Sequence, residues 1–428
     1  MSSLKKGRKR ALFVCLTDYQ IISALNVKLH LLKDEPADLI LLNHKSAVII
    51  DKNADKQIKM ARRLAETGIF TNISLFQEKV AGLHKYFRNL SEGKSEFTFL
   101  TAVKNSCNNA YNKFLGRFES LGANINRWRI FGPVVDFSSY DRIFAMPNNH
   151  FAKVCTFAVL AGTERDRCSI ITLDEGVSAY LSNGLGEEGR WTDTSYLYAP
   201  SMATYKDKGI KLVAIPQIRS DDWEFIKILN YIFDFKVDKK LNLRNRVVFF
   251  DQTWDAMPKY LQNLTGLRKI LLGNLYKKHL RESRLYDAKI KAFRLLSEHF
   301  APAKAWVKLH PRSNKEFLAD YKKYDAHFMP QIAVPWELFG CNYAIIGNIW
   351  VTIYSSSLCS YEFTIADAKS SNKYIFLYKF ILQDLSEYNE IDAFFKAFRQ
   401  GREDRVFIPE SWEEYIALLE KLKNEVSA

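Results

Sequence analysis

Apolar residues in this chain gather in short unbroken runs, separated by longer amphipathic stretches. Ala11–Leu16 is the first run, followed by the polar turn Thr17-Asp-Tyr-Gln20 and a helical pattern over Ile21–Leu32. Ala37–Leu42 is the second, and Phe70–Leu75, Arg142–Met146 and Cys168–Leu173 continue the series. Strands that are apolar on both faces and alternate with helices belong to a parallel sheet covered on both sides. The intervening Gln77–Phe131 reads as mostly helical and basic, with aromatic residues scattered through it.

The same pattern restarts after the charged run Lys236–Arg244, which predicts the connection between two domains, 1–240 and 241–428. Arg246–Phe250 predicts a buried strand leading into Asp251-Gln-Thr-Trp254, and Lys259–His299 a long basic helical stretch. Ala305–Leu309, Tyr343–Ile346, Trp350–Tyr354 and Lys373–Tyr378 predict further strands, and Leu358–Ala366 a helix. The tail Ser411–Val426 opens with a serine cap and has a glutamate three residues on, a helix-start signature. A chain of 428 residues fits two domains of about 200 residues each. The expected fold class is therefore α/β, with two Rossmann-like domains facing across a cleft.

A net charge of +14 draws anions, so nucleic acid, anionic membrane, nucleotide sugars and acidic glycans all enter as partners. The six cysteines are scattered without metal-site spacing, which predicts buried free thiols and a reducing cytoplasm. The apolar run behind the basic start is too short for a signal-peptide core, and no stretch approaches the about eighteen apolar residues of a membrane span. The expected location is cytoplasmic, with any membrane contact peripheral.

In open α/β sheets ligands bind beyond the carboxyl ends of strands, and three polar motifs fall at such places. Asp174-Glu175-Gly176 follows Ile170–Leu173; adjacent carboxylates repel, so one keeps a raised pKa and can serve as a base. The same residues also make a plain surface turn capping Val177–Leu181. His310-Pro311-Arg312 follows Lys308 and Leu309, where His and Arg can protonate and neutralise a departing phosphate, or simply form a basic turn. Ser355-Ser356-Ser357 ends an apolar strand and opens a helix, where hydroxyls and unpaired N–H groups suit an anion. Glu337 lies between the last two motifs, and Asn149 and His150 follow Pro147 at another strand end, as acceptor contacts or loop hydrogen-bonders. No Asp-x-Asp, HExxH or Walker A pattern is present.

Asp174-Glu175-Gly176, then His310-Pro311, then Ser355-Ser356-Ser357 resemble in order and spacing the acidic-acidic-Gly, His-Pro and Ser motifs of bacterial sialyltransferases. The opening strand and Thr17-Asp-Tyr-Gln20 are similar to the start of the lipooligosaccharide and capsule enzymes, with Asp18 departing from their Thr-Pro-x-Gln-like turn. The resemblance implies a GT-B fold and an inverting, metal-independent transfer of sialic acid from CMP-sialic acid to a sugar hydroxyl of a bacterial surface glycan. It makes Asp174 the general base with Glu175 in support, or the two with these roles reversed, and His310 the general acid at the CMP phosphate. It gives Ser355, Ser356 and Ser357 to that phosphate and Glu337 to the ribose, with Lys308, Pro311 and Arg312 completing the nucleotide site. Gln20, Asn149 and His150 fall to the acceptor, and no cofactor is needed beyond the CMP-sialic acid donor. The partners implied are a glycan or glycolipid acceptor and peripheral contact with anionic membrane through the basic Lys259–Lys291 stretch. Another cytidine-nucleotide-dependent transferase of capsule or cell-wall polymers is the alternative enzyme. A basic nucleic-acid-binding protein is the alternative from another class, but no RNA- or DNA-binding signature is present, and nucleic acid is not an expected partner.

Overall fold

The structure, a computed structural model, describes residues 10–43, 50–77, 139–145, 168–185, 192–254, 273–300, 305–310, 318–331, 334–366, 371–383 and 388–427. It divides into two compact units, Met1–Pro216 and Gln217–Ala428.

The first unit is built on a parallel sheet in the order β3-β2-β1-β4-β5-β6-β7. Its strands are β1 (Ala11–Cys15), β2 (Ala37–Asn43), β3 (Ile73–Gln77), β4 (Arg142–Phe144), β5 (Ser169–Leu173), β6 (Thr194–Leu197) and β7 (Lys211–Ala214). All five residues of β1 are buried, as the unbroken run Ala-Leu-Phe-Val-Cys requires of a strand covered on both faces. Phe13 stacks on Phe144 across the β1–β4 pair, with ring centroids 4.5 Å apart. Chain order reverses between β1 and β4, so the crevice beyond their carboxyl ends is where such sheets take ligands.

The second unit repeats the plan: β8 (Val247–Phe250), β9 (Ala305–Lys308), β10 (His327–Phe328), β11 (Ile349–Thr352), β12 (Lys373–Phe376) and β13 (Val406–Phe407), in the order β10-β9-β8-β11-β12-β13. All the strand pairings are parallel, and the reversal falls between β8 and β11. Trp350 in β11 is wholly buried and meets Phe250, Trp336, Tyr361 and Tyr374 edge to face, at centroid distances of 5.0 to 5.8 Å. These contacts are favourable beyond the area they bury and fix where β11 ends. The chain is thus α/β with two Rossmann-like units in tandem, the organisation of the GT-B class.

The division lies earlier than the Lys236–Arg244 run suggested. Helix Trp223–Phe233 packs in the second unit, where Asn230 and Asn342 exchange side-chain hydrogen bonds at 2.8 Å. Just past the division, Ile218 bridges to Ile365, with Ile218 N donating to Thr364 O at 2.7 Å and Ala366 N to Ile218 O at 2.9 Å.

Tyr343–Ile346 is not a strand; it leaves helix Trp336–Asn342 and runs into Gly347, whose φ of +70° turns the chain. Its apolar residues are divided between a buried Ile345 and an exposed Ile346, so the run was no evidence of two covered faces. The tail helix, Trp412–Ser427, starts as expected: Glu414 N donates to Ser411 Oγ at 3.2 Å. Gln77 ends β3, whereas 78–131 lies outside the described residues. So do 255–272 of the basic stretch and the side chains of 273–279.

Candidate active site

In the first unit the site begins with the turn after β1. Thr17 caps helix Asp18–Asn26: its hydroxyl accepts from Gln20 N at 3.2 Å. The Gln20 side chain folds back, and its Oε1 accepts from Leu16 N at 2.5 Å and Thr17 N at 3.2 Å. Two backbone donors on one side leave the amide a single orientation, with Nε2 facing away from the turn. Nε2 donates to Glu175 Oε2 at 2.6 Å, across 155 residues of sequence. Gln20 is only 1% exposed, and its amide is engaged by the turn and by Glu175.

Asp174 and Glu175 stand at the carboxyl end of β5 with different surroundings. Asp174 is 0% exposed. Its Oδ1 accepts from Gly176 N at 2.9 Å; its Oδ2 accepts from the Tyr180 hydroxyl and from Tyr198 N at 3.1 Å. Gly176 has φ +101°, a left-handed conformation that only glycine adopts without strain, and this turns its N–H onto Asp174. Burial raises the Asp174 pKa to about 6, against the pull of Tyr180, Gly176, Tyr198 and Tyr19, which favour the ionised form.

Glu175 is half-buried. Burial is also the main cause that raises its pKa, to about 8, and the Asp174 charge adds to it while the Gln20 amide opposes it. The two carboxyls together hold close to one proton at neutral pH, as adjacent acids in a poorly solvated site do. An enclosed carboxylate cannot touch a hydroxyl arriving from solvent. Asp174 therefore anchors the turn, and Glu175 is the more exposed of the two acids.

Sequence reasoning missed Tyr180 and Tyr198. Tyr180 caps Asp174 and takes Ala199 N at 3.2 Å, while Tyr198 receives Asn26 Nδ2 at 3.1 Å, so both tie the loop after β6 to this centre. Asn149 and His150 lie outside the described residues beyond β4.

In the second unit the motifs gather around β8, β9 and β11. His310 is half-buried beyond β9, while Pro311 and Arg312 lie outside the described residues. Lys308 turns inward, and its Nζ donates to Val334 O at 3.2 Å, holding the segment that leads into helix Trp336–Asn342. Glu337 is 4% exposed, its Oε1 accepting from Ser360 Oγ at 2.5 Å. That carboxylate faces the neighbouring helix Ser356–Thr364 and is not the surface residue its loop position allowed. Ser355 is the cap of that helix, its Oγ accepting from Ser357 N at 3.3 Å; Ser356 and Ser357 form its half-buried first turn.

Beneath this turn lies a group the sequence did not single out. Lys289 Nζ meets Asp251 Oδ1 at 2.9 Å and donates to Gln252 O at 2.8 Å and Trp254 O at 3.2 Å. Gln252 Oε1 in turn accepts from Tyr354 N at 3.0 Å, joining the end of β8 to the residue before Ser355. Among the described residues no His, Cys, Asp and Glu group has a metal-binding arrangement, and no helix is long and apolar enough to cross a membrane.

No family model matches the chain, and no curated protein sequence matches it. Among solved structures it is similar to an alpha/beta-galactoside alpha-2,3-sialyltransferase from Photobacterium phosphoreum, a luminous marine bacterium. That likeness has 8% identity, covers 94% of this chain and 99% of that one, and has a TM-score of 0.45. It is also similar to MurG from Acinetobacter baumannii, at 9% identity, 98% and 91% coverage and a TM-score of 0.44. A third likeness is to UGT2 from Phytolacca americana, at 9% identity, 98% and 89% coverage and a TM-score of 0.42.

Proposed function

We propose that this protein is an inverting glycosyltransferase whose first unit takes a sugar acceptor and whose second unit takes the nucleotide of CMP-sialic acid. The observation that carries the reading is Glu175: a half-buried acid of raised pKa beyond β5, held by Gln20 and backed by the enclosed Asp174. A carboxyl poised near neutral pH is what general-base catalysis on a sugar hydroxyl needs.

In the proposed reaction the acceptor oxygen attacks the anomeric carbon of sialic acid. Its proton passes to Glu175, and the bond from that carbon to the phosphate oxygen breaks, releasing CMP. His310 protonates or hydrogen-bonds the departing phosphate, and the first turn of helix Ser356–Thr364 offers it N–H and hydroxyl donors. The charge then leaves onto fixed donors, so the reaction is proposed to be metal-independent, in keeping with a sequence that has no Asp-x-Asp. The acceptor class is a bacterial surface glycan or glycolipid, with the enzyme cytoplasmic and peripheral at the inner membrane face.

Incubating the protein with CMP-sialic acid and a panel of galactosides tests the reading. CMP release that depends on acceptor and persists in excess EDTA is the expected result. CMP release absent with every acceptor, or lost to EDTA and restored by Mg²⁺ or Mn²⁺, overturns it.

A further inference from the structure

We infer that Gln20 is the positioning residue for Glu175: by occupying Oε2 it directs the acceptor's proton to Glu175 Oε1. This rests on the reading of Glu175 as the base. Oε1 accepts no hydrogen bond among the described residues, whereas Oε2 is held at 2.6 Å.

The bland role for Gln20 is to close the capping box of helix Asp18–Asn26, which its Oε1 does. A glutamate closes such a box equally well. The other end of the side chain is what distinguishes the two residues. Only an amide can satisfy the Leu16 and Thr17 N–H groups with its oxygen and still present a donor to Glu175. The geometry also excludes a flipped amide, because Nε2 would then face two backbone N–H groups. Glu175 is thereby fixed from a turn that belongs to β1, two strands away in the sheet.

The groups facing Glu175 are Gln20 and the ionised Asp174; the latter is in turn held by Tyr19, Tyr180 and the Gly176 and Tyr198 N–H groups. Replacing the Gln20 amide by a carboxylate keeps the capping box and turns the attractive Gln20–Glu175 contact into a repulsive one. A helix-capping role alone leaves the titration of Glu175 unmoved by that change.

The test is Gln20→Glu in the full chain, with glutamate carboxyls labelled with ¹³C and the Glu175 resonance assigned by its loss in Glu175→Gln. The Glu175 midpoint is expected to rise by about one unit or more, and the ascending limb of the kcat profile to move with it. An unmoved midpoint in a folded Gln20→Glu protein overturns the inference. If Gln20→Glu alone folds poorly, the exchange Gln20→Glu with Glu175→Gln restores an amide–carboxylate pair. That double variant should regain thermal stability without regaining turnover, and recovery of turnover overturns the inference. The NMR titration needs no substrate. A shifted midpoint in a protein inactive towards CMP-sialic acid therefore rejects the proposed transfer and leaves the Gln20–Glu175 relationship standing.

Discussion

Lys289 and Asp251 form a buried ion pair, with side chains 3% and 2% exposed and 2.9 Å between Nζ and Oδ1. The Tyr321 hydroxyl donates to the same Oδ1 at 2.6 Å. The pair pins the loop after β8, through which Gln252 reaches Tyr354. Removing one partner leaves the other's buried charge without its counter-ion, at about 3–5 kcal/mol. Lys289→Met is therefore expected to lower the unfolding free energy read from urea denaturation by that amount, through a lower midpoint with an unchanged m-value. Lys289→Met with Asp251→Leu should recover most of it, and a single variant as stable as wild type contradicts the pairing.

The two acids beyond β5 are expected to respond differently to amide substitution. Glu175→Gln keeps an oxygen for Gln20 and should fold normally while turnover falls by roughly two to four orders of magnitude. Asp174→Asn must set an NH₂ against either Gly176 N or the Tyr180 and Tyr198 donors. Its cost is about 1–3 kcal/mol of stability for the donors left unmatched. Thermal denaturation of both variants beside initial rates separates the two. Full activity in Glu175→Gln removes it from the chemistry.

Stability should depend on pH through the same pair. Glu175 has a folded pKa of about 8 against an ordinary 4.5, and Asp174 about 6 against 3.8. The native state then binds more protons than the unfolded chain between those values. The stabilisation from these two groups is full below their unfolded pKa values, and it is lost as pH rises through the folded ones. The advantage of Glu175→Gln over wild type in Tm is expected to grow from pH 5 to pH 8.5, and a constant difference refutes the shift. Turnover runs the opposite way, rising towards about pH 8 as Glu175 ionises.

Helices Trp336–Asn342 and Ser356–Thr364 approach closely at Gly340, where an added Cβ would lie 2.6 Å from Tyr361 Cε2. Tyr361 is itself packed edge to face on Trp350, so its ring cannot easily withdraw. Gly340→Ala should cost about 1–3 kcal/mol through overpacking. A melting curve unchanged by it indicates that the helices sit further apart.

β1, β8 and β11, three of the four strands beside the chain reversals, were legible because every residue in them is buried and each reads as a mainly apolar run. β7 is an edge strand with no buried residue among Lys211–Ala214, and β13 has two residues, so neither left a pattern to read. The Asp-Glu-Gly turn was legible from its place beyond an apolar strand. The division of labour inside it was not. That depends on Tyr180, Tyr198 and Gln20 converging from three segments, the last 155 residues away. Lys289 was hidden for a related reason: a buried lysine in a basic helical stretch looks like its solvated neighbours until Asp251 is seen beside it.

The bridge between Ile218 and Ile365 bears on the order in which the protein is made. β1 to β7 are all synthesised by Ala214, so the first sheet can assemble as soon as that residue leaves the ribosome. Ile218 must wait for a partner about 150 residues downstream, roughly 7–30 s at ordinary rates of synthesis. During that interval the start of the second unit is exposed to chaperones and proteases while the first is already protected. A ribosome stalled between the two positions should therefore carry one protease-resistant unit followed by a cleavable tail.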